Sequence, residues 1–158
     1  MPRAKPRPAA DTAWEAQAAW YDARQGEDGD EHHRRVVLPA VLRLLPLRPG
    51  QTVLDACCGQ GVLARLLAAQ GVQVLGVDAA PSLIEAARAR AGAGERYEVG
   101  DACRLEALVG PESVDHAAVV LALQDVEDAP ALLRGVVRAL RPGGRCLAVL
   151  SHPCFRVP

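Results

Sequence analysis

From residue 50 onward, short apolar runs alternate with longer stretches whose apolar residues recur at helical spacing. The runs predict five strands, at 52–56, 72–77, 97–99, 115–123 and 146–150. The stretches between them predict helices at 62–70, at 81–91 and after Asp128, whose side chain is typical of a helix N-cap. Such alternation favours right-handed βαβ units, so the pattern predicts an α/β fold with a mostly parallel sheet between helical layers.

The N-terminal third has a different pattern, in which two helical stretches flank a polar loop. Thr12 and Glu15 have the spacing of a capping box at the start of the first helix. The second helix is predicted at 31–45, and Pro39 either starts its second half or kinks it. The chain therefore divides into a flexible tail at 1–10, a helical cap at 11–48 and an α/β core at 49–158.

Composition narrows the class of protein. A chain of 158 residues with 50% hydrophobic and 23% charged residues is globular and fits a single core. The net charge of −1 gives no support for a nucleic-acid or membrane-surface partner. No signal peptide is visible and no apolar run reaches the ~20 residues that span a bilayer, so we expect a cytoplasmic protein.

The cysteines and tryptophans indicate structural roles. Five scattered cysteines without a CxxC pair favour neither a disulfide framework nor a zinc site, so we expect reduced thiols and no metal. Trp14 and Trp20 are expected to pack against the core rather than stack on a substrate. His116 lies within a predicted strand and is interpreted as structural.

Chemistry-bearing residues follow the ends of three predicted strands, where ligands bind in open α/β sheets. After the first strand, Gly59 and Gly61 allow a tight turn, the following helix offers free N–H groups to a carboxylate, and Asp55 can accept from an ammonium group. Asp78, at the end of the second strand, can accept from both hydroxyls of a ribose. After the third strand, Asp101 and the N–H of Ala102 can bind an adenine. Each signal alone is weak, but together they predict a site for one zwitterionic nucleoside.

In order and content these segments resemble the class I S-adenosylmethionine-dependent methyltransferases. VLDACCGQG is similar to their first motif, VLGVDAAPSLIEAARAR to the second, YEVGDACRL to the adenine-side motif, and RALRPGGRCLAVL to the helix and strand that close the core. The resemblance covers residues 38–150 and implies a Rossmann-like three-layer sandwich with a helical cap, S-adenosylmethionine as cofactor and S-adenosylhomocysteine as product. It implies methyl transfer to an unidentified small-molecule acceptor.

The resemblance also implies roles for individual residues. Tyr21 and His33 would cover the cofactor from the cap, and Leu121 would line the site after the fourth strand. The positions assigned to the methionine, ribose and adenine parts of the cofactor are, in chain order, Asp55, Ala56, Cys57, Gly59, Gly61, Asp78, Ala79, Asp101 and Ala102.

The sequence indicates the catalytic residues less clearly than the cofactor-binding residues. Methyl transfer from a sulfonium needs alignment and exclusion of water, and it needs a base only when the acceptor carries a proton. His152, after the fifth strand, is the candidate base, although a structural or surface role is the commoner one for such a histidine. Gln124 and Asp125 are candidate acceptor contacts.

Two departures from the family pattern are visible. Cys57 stands where the family usually has glycine, and we expect the cysteine to be tolerated with a negative φ. Only five of the family's seven strands are predicted, which would leave the last strand as an exposed apolar edge. We therefore expect a homodimer through that edge or a fragment. A binding protein without turnover remains an alternative, as does a nicotinamide-dependent oxidoreductase, whose usual G-x-G-x-x-G spacing is absent.

Overall fold

The computed structural model of the protein describes residues 14–152, and a parallel sheet forms the centre of this part. Neighbouring strands pair in the order β3-β2-β1-β4-β5, and each of the four pairings is parallel. This confirms the predicted α/β fold. The strands are β1 (Thr52–Ala56), β2 (Gln73–Asp78), β3 (Glu95–Val99), β4 (Val114–Val120) and β5 (Leu140–Val149).

Helices cover both faces of the sheet, which gives three layers. On one face, Val41, Leu67 and Ile84 pack from three different helices onto the sheet. On the other face, Leu132 and Val136 of a fourth helix pack against a 3-10 segment at Ala102–Ala107 and against the sheet. The helices are α1 (Ala18–Gln25), α2 (Leu38–Leu44), α3 (Val62–Ala68), α4 (Pro81–Ala89) and α5 (Ala129–Ala139).

Local sequence explains where the helices begin and end. The Asp128 carboxylate accepts from the Ala131 N–H at 2.8 Å, which caps α5 as predicted. Pro81 starts α4, where a missing N–H costs nothing. Gly71 follows α3 with φ of 79°, a conformation that favours glycine after a helix.

The helical cap contains an irregular second helix. A π-helical segment at His33–Val37 precedes α2, and Pro39 lies in the first turn of α2. Of the two alternatives for Pro39, the structure therefore has the start of a new helical section. Proline has no N–H to donate to the carbonyl four residues earlier. The wider π-helical turn before Pro39 accommodates this missing hydrogen bond.

Other predictions for the cap do not hold or lie outside the described residues. Thr12 and the tail at 1–10 lie outside the described residues. Glu15 is the other residue of the predicted capping box, and its carboxylate accepts from the backbone N–H and the hydroxyl of Ser82. The expectation that both tryptophans pack against the core is wrong, since Trp14 is 38% and Trp20 is 57% exposed. Trp14 stacks edge-on against Tyr21, and the Arg24 guanidinium lies over Trp20, so contacts within the cap hold both rings.

Backbone geometry overrides apolar runs at two of the strand boundaries that differ from the prediction. β4 ends at Val120, since Leu121 has a φ of 52° and turns the chain away. β5 begins at Leu140, which pairs with Val114 before an irregularity in the register. Residues 141–144, which precede the predicted strand, lie within this irregular part of β5.

The strand order places a ligand site. The sheet continues from β1 in one direction to β2 and in the other to β4, so the chain reverses its direction of growth between β1 and β4. A crevice opens at such a point beyond the carboxyl ends of the strands.

In residues 14–152, no helix has both the length and the apolar character that crossing a bilayer requires.

Candidate cofactor site

The turn between β1 and α3 bends sharply beside the cleft. The N–H groups of Cys57 and Cys58 both donate to the carbonyl of Val77, at 2.7 and 3.0 Å. This shared acceptor bends the chain sharply, and Cys57, Gly59 and Gly61 all have positive φ, of 64°, 55° and 84°. The expected negative φ of Cys57 is therefore wrong. A cysteine in this left-handed region is strained, which explains why glycine suits the position.

Asp55 carries a buried carboxylate with an unused oxygen. The residue is 2% exposed, and its Oδ2 has no hydrogen-bond partner among the described residues. Burial, together with the charge of Asp78, raises the pKa of Asp55 to about 7. An isolated buried carboxylate is costly, so a donor or cation at this position would be bound favourably.

Asp78 is fixed by the backbone at the end of β2. Its Oδ2 accepts from the Gly59 N–H at 2.8 Å and its Oδ1 accepts from the Ala80 N–H at 2.9 Å. Burial raises its pKa, partly offset by these hydrogen bonds. Each carboxylate oxygen can accept more than one hydrogen bond, so both remain able to bind a pair of hydroxyls.

The cap closes over this turn. A Cβ on Gly59 would lie 3.3 Å from the Tyr21 ring, so the phenol packs directly on the glycine backbone. Burial, followed by the charges of Asp78, Asp30 and Asp55, raises the pKa of Tyr21 to about 12, and the phenol is a hydrogen-bond donor at neutral pH. His33 lines the same cleft from the π-helical segment. The side chains that line the cleft are Tyr21, His33, Leu38, Asp55, Cys57, Cys58, Gln60, Val62, Leu63 and Val120.

Gln60 ties the cofactor turn to the cap, a role that the sequence analysis missed. Its side chain is buried; its amide nitrogen donates to the Gly26 carbonyl at 2.6 Å, and its amide oxygen accepts from Arg65 at 2.7 Å. Arg65 also donates to the carbonyl of Glu27. The only available sequence signal was a polar residue between two turn glycines, which does not reveal a partner more than thirty residues away.

The remaining predicted residues lie around this centre. Asp101 is exposed after β3 and caps the next segment by accepting from the Cys103 N–H at 2.8 Å, while Ala102 is buried beneath it. Leu121 is half-buried in the turn after β4, next to the cleft residue Val120. His152 is exposed beyond β5 and does not line the cleft.

The candidate acceptor contacts bind each other. Gln124 donates to the Leu121 carbonyl at 2.6 Å and to the Asp125 carboxylate at 3.3 Å, and both side chains are exposed. They lie in the segment that follows the turn at Leu121. Within residues 14–152, no group of three histidine, cysteine or acidic side chains forms a cluster that could hold a metal ion.

A family model described as a methyltransferase domain matches residues 53–144. The chain is 39% identical over 112 residues to the 2-phytyl-1,4-naphtoquinone methyltransferase of Synechococcus elongatus, covering 66% of this chain and 48% of the relative. The chain thus spans about half the length of the curated relatives that it matches.

Solved structures agree. An S-adenosylmethionine-dependent methyltransferase from Mesorhizobium loti is 34% identical, with a TM-score of 0.71, over 84% of this chain and 59% of the other. A phosphoethanolamine N-methyltransferase from Haemonchus contortus, solved with S-adenosyl-L-methionine, is 28% identical, with a TM-score of 0.76, over 94% of this chain and 36% of the other. With its five-stranded Rossmann-like sheet, glycine turn and strand-end aspartates, the chain belongs to the class I S-adenosylmethionine-dependent methyltransferase family.

Proposed function

We propose that the chain binds S-adenosylmethionine beyond the carboxyl ends of β1 to β4 and transfers its methyl group to a small-molecule acceptor. The observation that carries this proposal is the unpartnered Oδ2 of the buried Asp55. The cofactor's ammonium group would supply the missing donor and the positive charge that this carboxylate requires. A nicotinamide cofactor carries no ammonium group, which supports a methyltransferase over an oxidoreductase.

Other residues fit the remaining parts of the cofactor. The glycine turn and the backbone N–H groups at the start of α3 suit the carboxylate, with Ala56 and Cys57 alongside. Asp78 would accept from the ribose hydroxyls, beside Ala79, and Asp101 with Ala102 would bind the adenine. Tyr21, His33 and Leu121 would enclose the reacting end of the cofactor.

The bound cofactor would supply an electrophilic methyl group on a positively charged sulfur. The residues of the chain contribute alignment and exclusion of water, because in-line displacement needs both partners held in register. The Tyr21 ring on Gly59 and the apolar Val62, Leu63 and Val120 keep this part of the cleft dry. His152, the candidate base from the sequence, is exposed and does not line this cleft.

We assign the acceptor to a class of molecules and not to a particular compound. The relatives and solved structures have names that refer to a naphthoquinone in one case and to phosphoethanolamine in another. Acceptor specificity is a property of caps and loops that vary between members of one fold. We propose a small molecule rather than a nucleic acid, because the net charge of −1 gives no support for a polyanionic partner.

Calorimetric titration with S-adenosylhomocysteine and with NAD tests the cofactor. We expect binding of the former only. Asp78→Ala is expected to weaken that binding at least tenfold, because the ribose hydroxyls lose their acceptor. Glu85→Ala, an exposed position on α4, is the matched control. Equal affinity of the wild type and Asp78→Ala would contradict the ribose role.

A methyl-transfer assay separates an enzyme from a binding protein. Radioactive methyl groups from S-adenosylmethionine should appear in one or more members of a panel of small metabolites. A chain that binds S-adenosylhomocysteine but labels no member of the panel would support the alternative of a binding protein without turnover.

We also propose that a second subunit covers the edge of β5. β5 pairs with β4 alone among the described strands, and Val137 and Leu150 are exposed near it. An open apolar edge favours pairing with another strand.

A further inference from the structure

Asp30 and His33 form a carboxylate–imidazole pair at the wall of the cleft. The His33 Nδ1 lies 2.9 Å from Asp30 Oδ1, and the same oxygen accepts from the His33 backbone N–H, also at 2.9 Å. An ionised carboxylate can only accept hydrogen bonds, so Nδ1 carries the proton in this contact. A neutral His33 ring then has its lone pair on Nε2.

Two further contacts position Asp30 beside His33. The buried Gln25 accepts from the Asp30 N–H at 3.0 Å, and Arg24 Nε lies 3.5 Å from Asp30 Oδ2. Gly29 allows the close approach, since a Cβ there would lie 2.8 Å from the His33 Cβ. Burial alone would raise the pKa of Asp30, but hydrogen bonds from the His33 backbone and ring outweigh it and lower the pKa to about 2. Asp30 is therefore ionised at neutral pH.

The imidazole lines the same cleft as residues at the ends of β1 and β4. The His33 side chain is 13% exposed and lines the cleft together with Tyr21, Asp55 and Val120. Its Nδ1 edge is taken by Asp30, which leaves the edge bearing Nε2 for a ligand. The pair belongs to the cap, whereas Asp55 and Val120 belong to the ends of β1 and β4.

The other titratable side chains of the cleft are poor proton acceptors at neutral pH. The pKa of Tyr21 is raised to about 12, so its phenol is already protonated. Burial raises the pKa of the Cys57 and Cys58 thiols, so both stay protonated as well. Asp55 is the partner proposed for the cofactor's ammonium group, which occupies its free oxygen.

We propose that His33 is the general base of methyl transfer, that Asp30 is its positioning residue, and that the acceptor carries an O–H or N–H at its nucleophilic atom. This inference rests on the proposed function. The lone pair of the acceptor atom forms a bond to the methyl carbon while the carbon–sulfur bond breaks and its electron pair stays on sulfur. The acceptor proton moves to Nε2, and the resulting imidazolium is stabilised by Asp30 before it releases the proton to water.

Substitution of His33 tests the base role. Catechol, 3,4-dihydroxybenzoate and ethanolamine are the proton-bearing probes, and iodide is a nucleophile that carries no proton. His33→Asn is expected to lower kcat with a proton-bearing probe about 100-fold or more and to leave methylation of iodide within about threefold. His32→Asn, an exposed neighbour on the same helix, is the matched control and should keep the wild-type rate.

The pH profile tests the role of Asp30. The charged and titratable groups near His33 are its partner Asp30, the Asp30 ion-pair partner Arg24, and the neighbouring His32. Those that line the same cleft are Tyr21, Asp55, Cys57 and Cys58. Loss of the Asp30 charge in Asp30→Asn removes the stabilisation of imidazolium. The rising limb of kcat/KM should therefore move to lower pH while its plateau falls, and Asp30→Glu should restore the limb. A purely structural role would lower the plateau without moving the limb.

The outcomes separate the two proposals. Absence of S-adenosylhomocysteine binding by the wild type would overturn the proposed function. Binding with equal kcat for His33→Asn and His32→Asn would overturn the base inference alone. Binding without methylation of any proton-bearing probe, or loss of the pH limb in His152→Asn instead of His33→Asn, would overturn it as well.

Discussion

Cys57 has a backbone conformation that cysteine does not favour. Its φ of 64° is imposed by the double hydrogen bond of the turn to Val77, not by any preference of cysteine. Left-handed backbone costs a residue with a Cβ about 1–2 kcal/mol. The half-buried thiol packs against the sheet face beneath α5, which offsets part of that cost.

Substitutions at Cys57 should rank by backbone preference. We expect Cys57→Val to unfold with a free energy about 2 kcal/mol lower than Cys57→Gly, because a β-branched side chain is least tolerated at positive φ. At Cys146, in the exposed part of β5, the order of the same two substitutions should reverse, since valine favours extended backbone. Urea denaturation measures both pairs, and the same ranking at the two positions would contradict the explanation.

Asp55 makes stability depend on pH in a direction that is unusual for an aspartate. Its pKa is about 7 in the folded chain against 3.8 for the free side chain, so the folded state holds the proton more tightly. The free energy of unfolding should therefore fall as pH rises from about 4 to about 7, by about 4 kcal/mol in total. Above pH 7 the loss is complete.

Denaturation of the apoprotein at pH 5 and pH 8 measures this effect. Asp55→Asn keeps the shape of the side chain but cannot ionise, so its stability should change much less between the two pH values. Parallel pH dependence in the wild type and the variant would show that another group causes the loss.

At the scale of elements, the sequence predicts the strands well where apolar runs and backbone geometry agree. β1 has the predicted bounds, and the aspartates at the ends of β1 and β2 lie beside one cleft, because the topology of a parallel sheet brings strand ends together. The prediction fails at Leu121, where an apolar residue turns the chain at positive φ. The contact of Gln60 with the cap was not predictable, since a hydrogen-bond partner from another element leaves no local pattern.

Asp128, the N-cap residue of α5, gives a prediction at the scale of elements. Asp128→Ala removes the acceptor of the Ala131 N–H and should lower the free energy of unfolding by about 1 kcal/mol. Glu127→Ala, an exposed change one residue earlier, is the control and should be nearly neutral. Equal effects of the two substitutions, measured by urea denaturation, would contradict the capping role.

At the scale of the whole molecule, the sheet has two unlike edges. β3 carries charged side chains, including Glu95, Arg96 and Glu98, which discourage pairing with another strand. β5 instead exposes Cys146, Ala148 and Leu150 in its C-terminal half and just beyond it. Charge protects one edge, whereas the proposed second subunit would cover the other.

Light scattering coupled to size exclusion tests the proposed dimer. The wild type should be dimeric, and Leu150→Lys should shift it to monomer because a charge on the edge opposes pairing. Leu44→Lys, at a similarly exposed leucine of α2, is the control and should leave the dimer intact. A wild type that remains monomeric at every concentration would overturn the proposed interface.

The paired carboxylates also have a consequence for turnover. Asp55 and Asp78 raise each other's free energy when the cleft holds no cation. On the proposed function, S-adenosylmethionine brings two positive charges, and after transfer its product retains only the ammonium. The electrostatic attraction of the cleft is thus weaker for the product than for the reactant. The carboxylates that favour binding of S-adenosylmethionine should therefore also weaken inhibition by S-adenosylhomocysteine. Added salt screens these charges, so it should narrow the difference between the affinities for the two ligands.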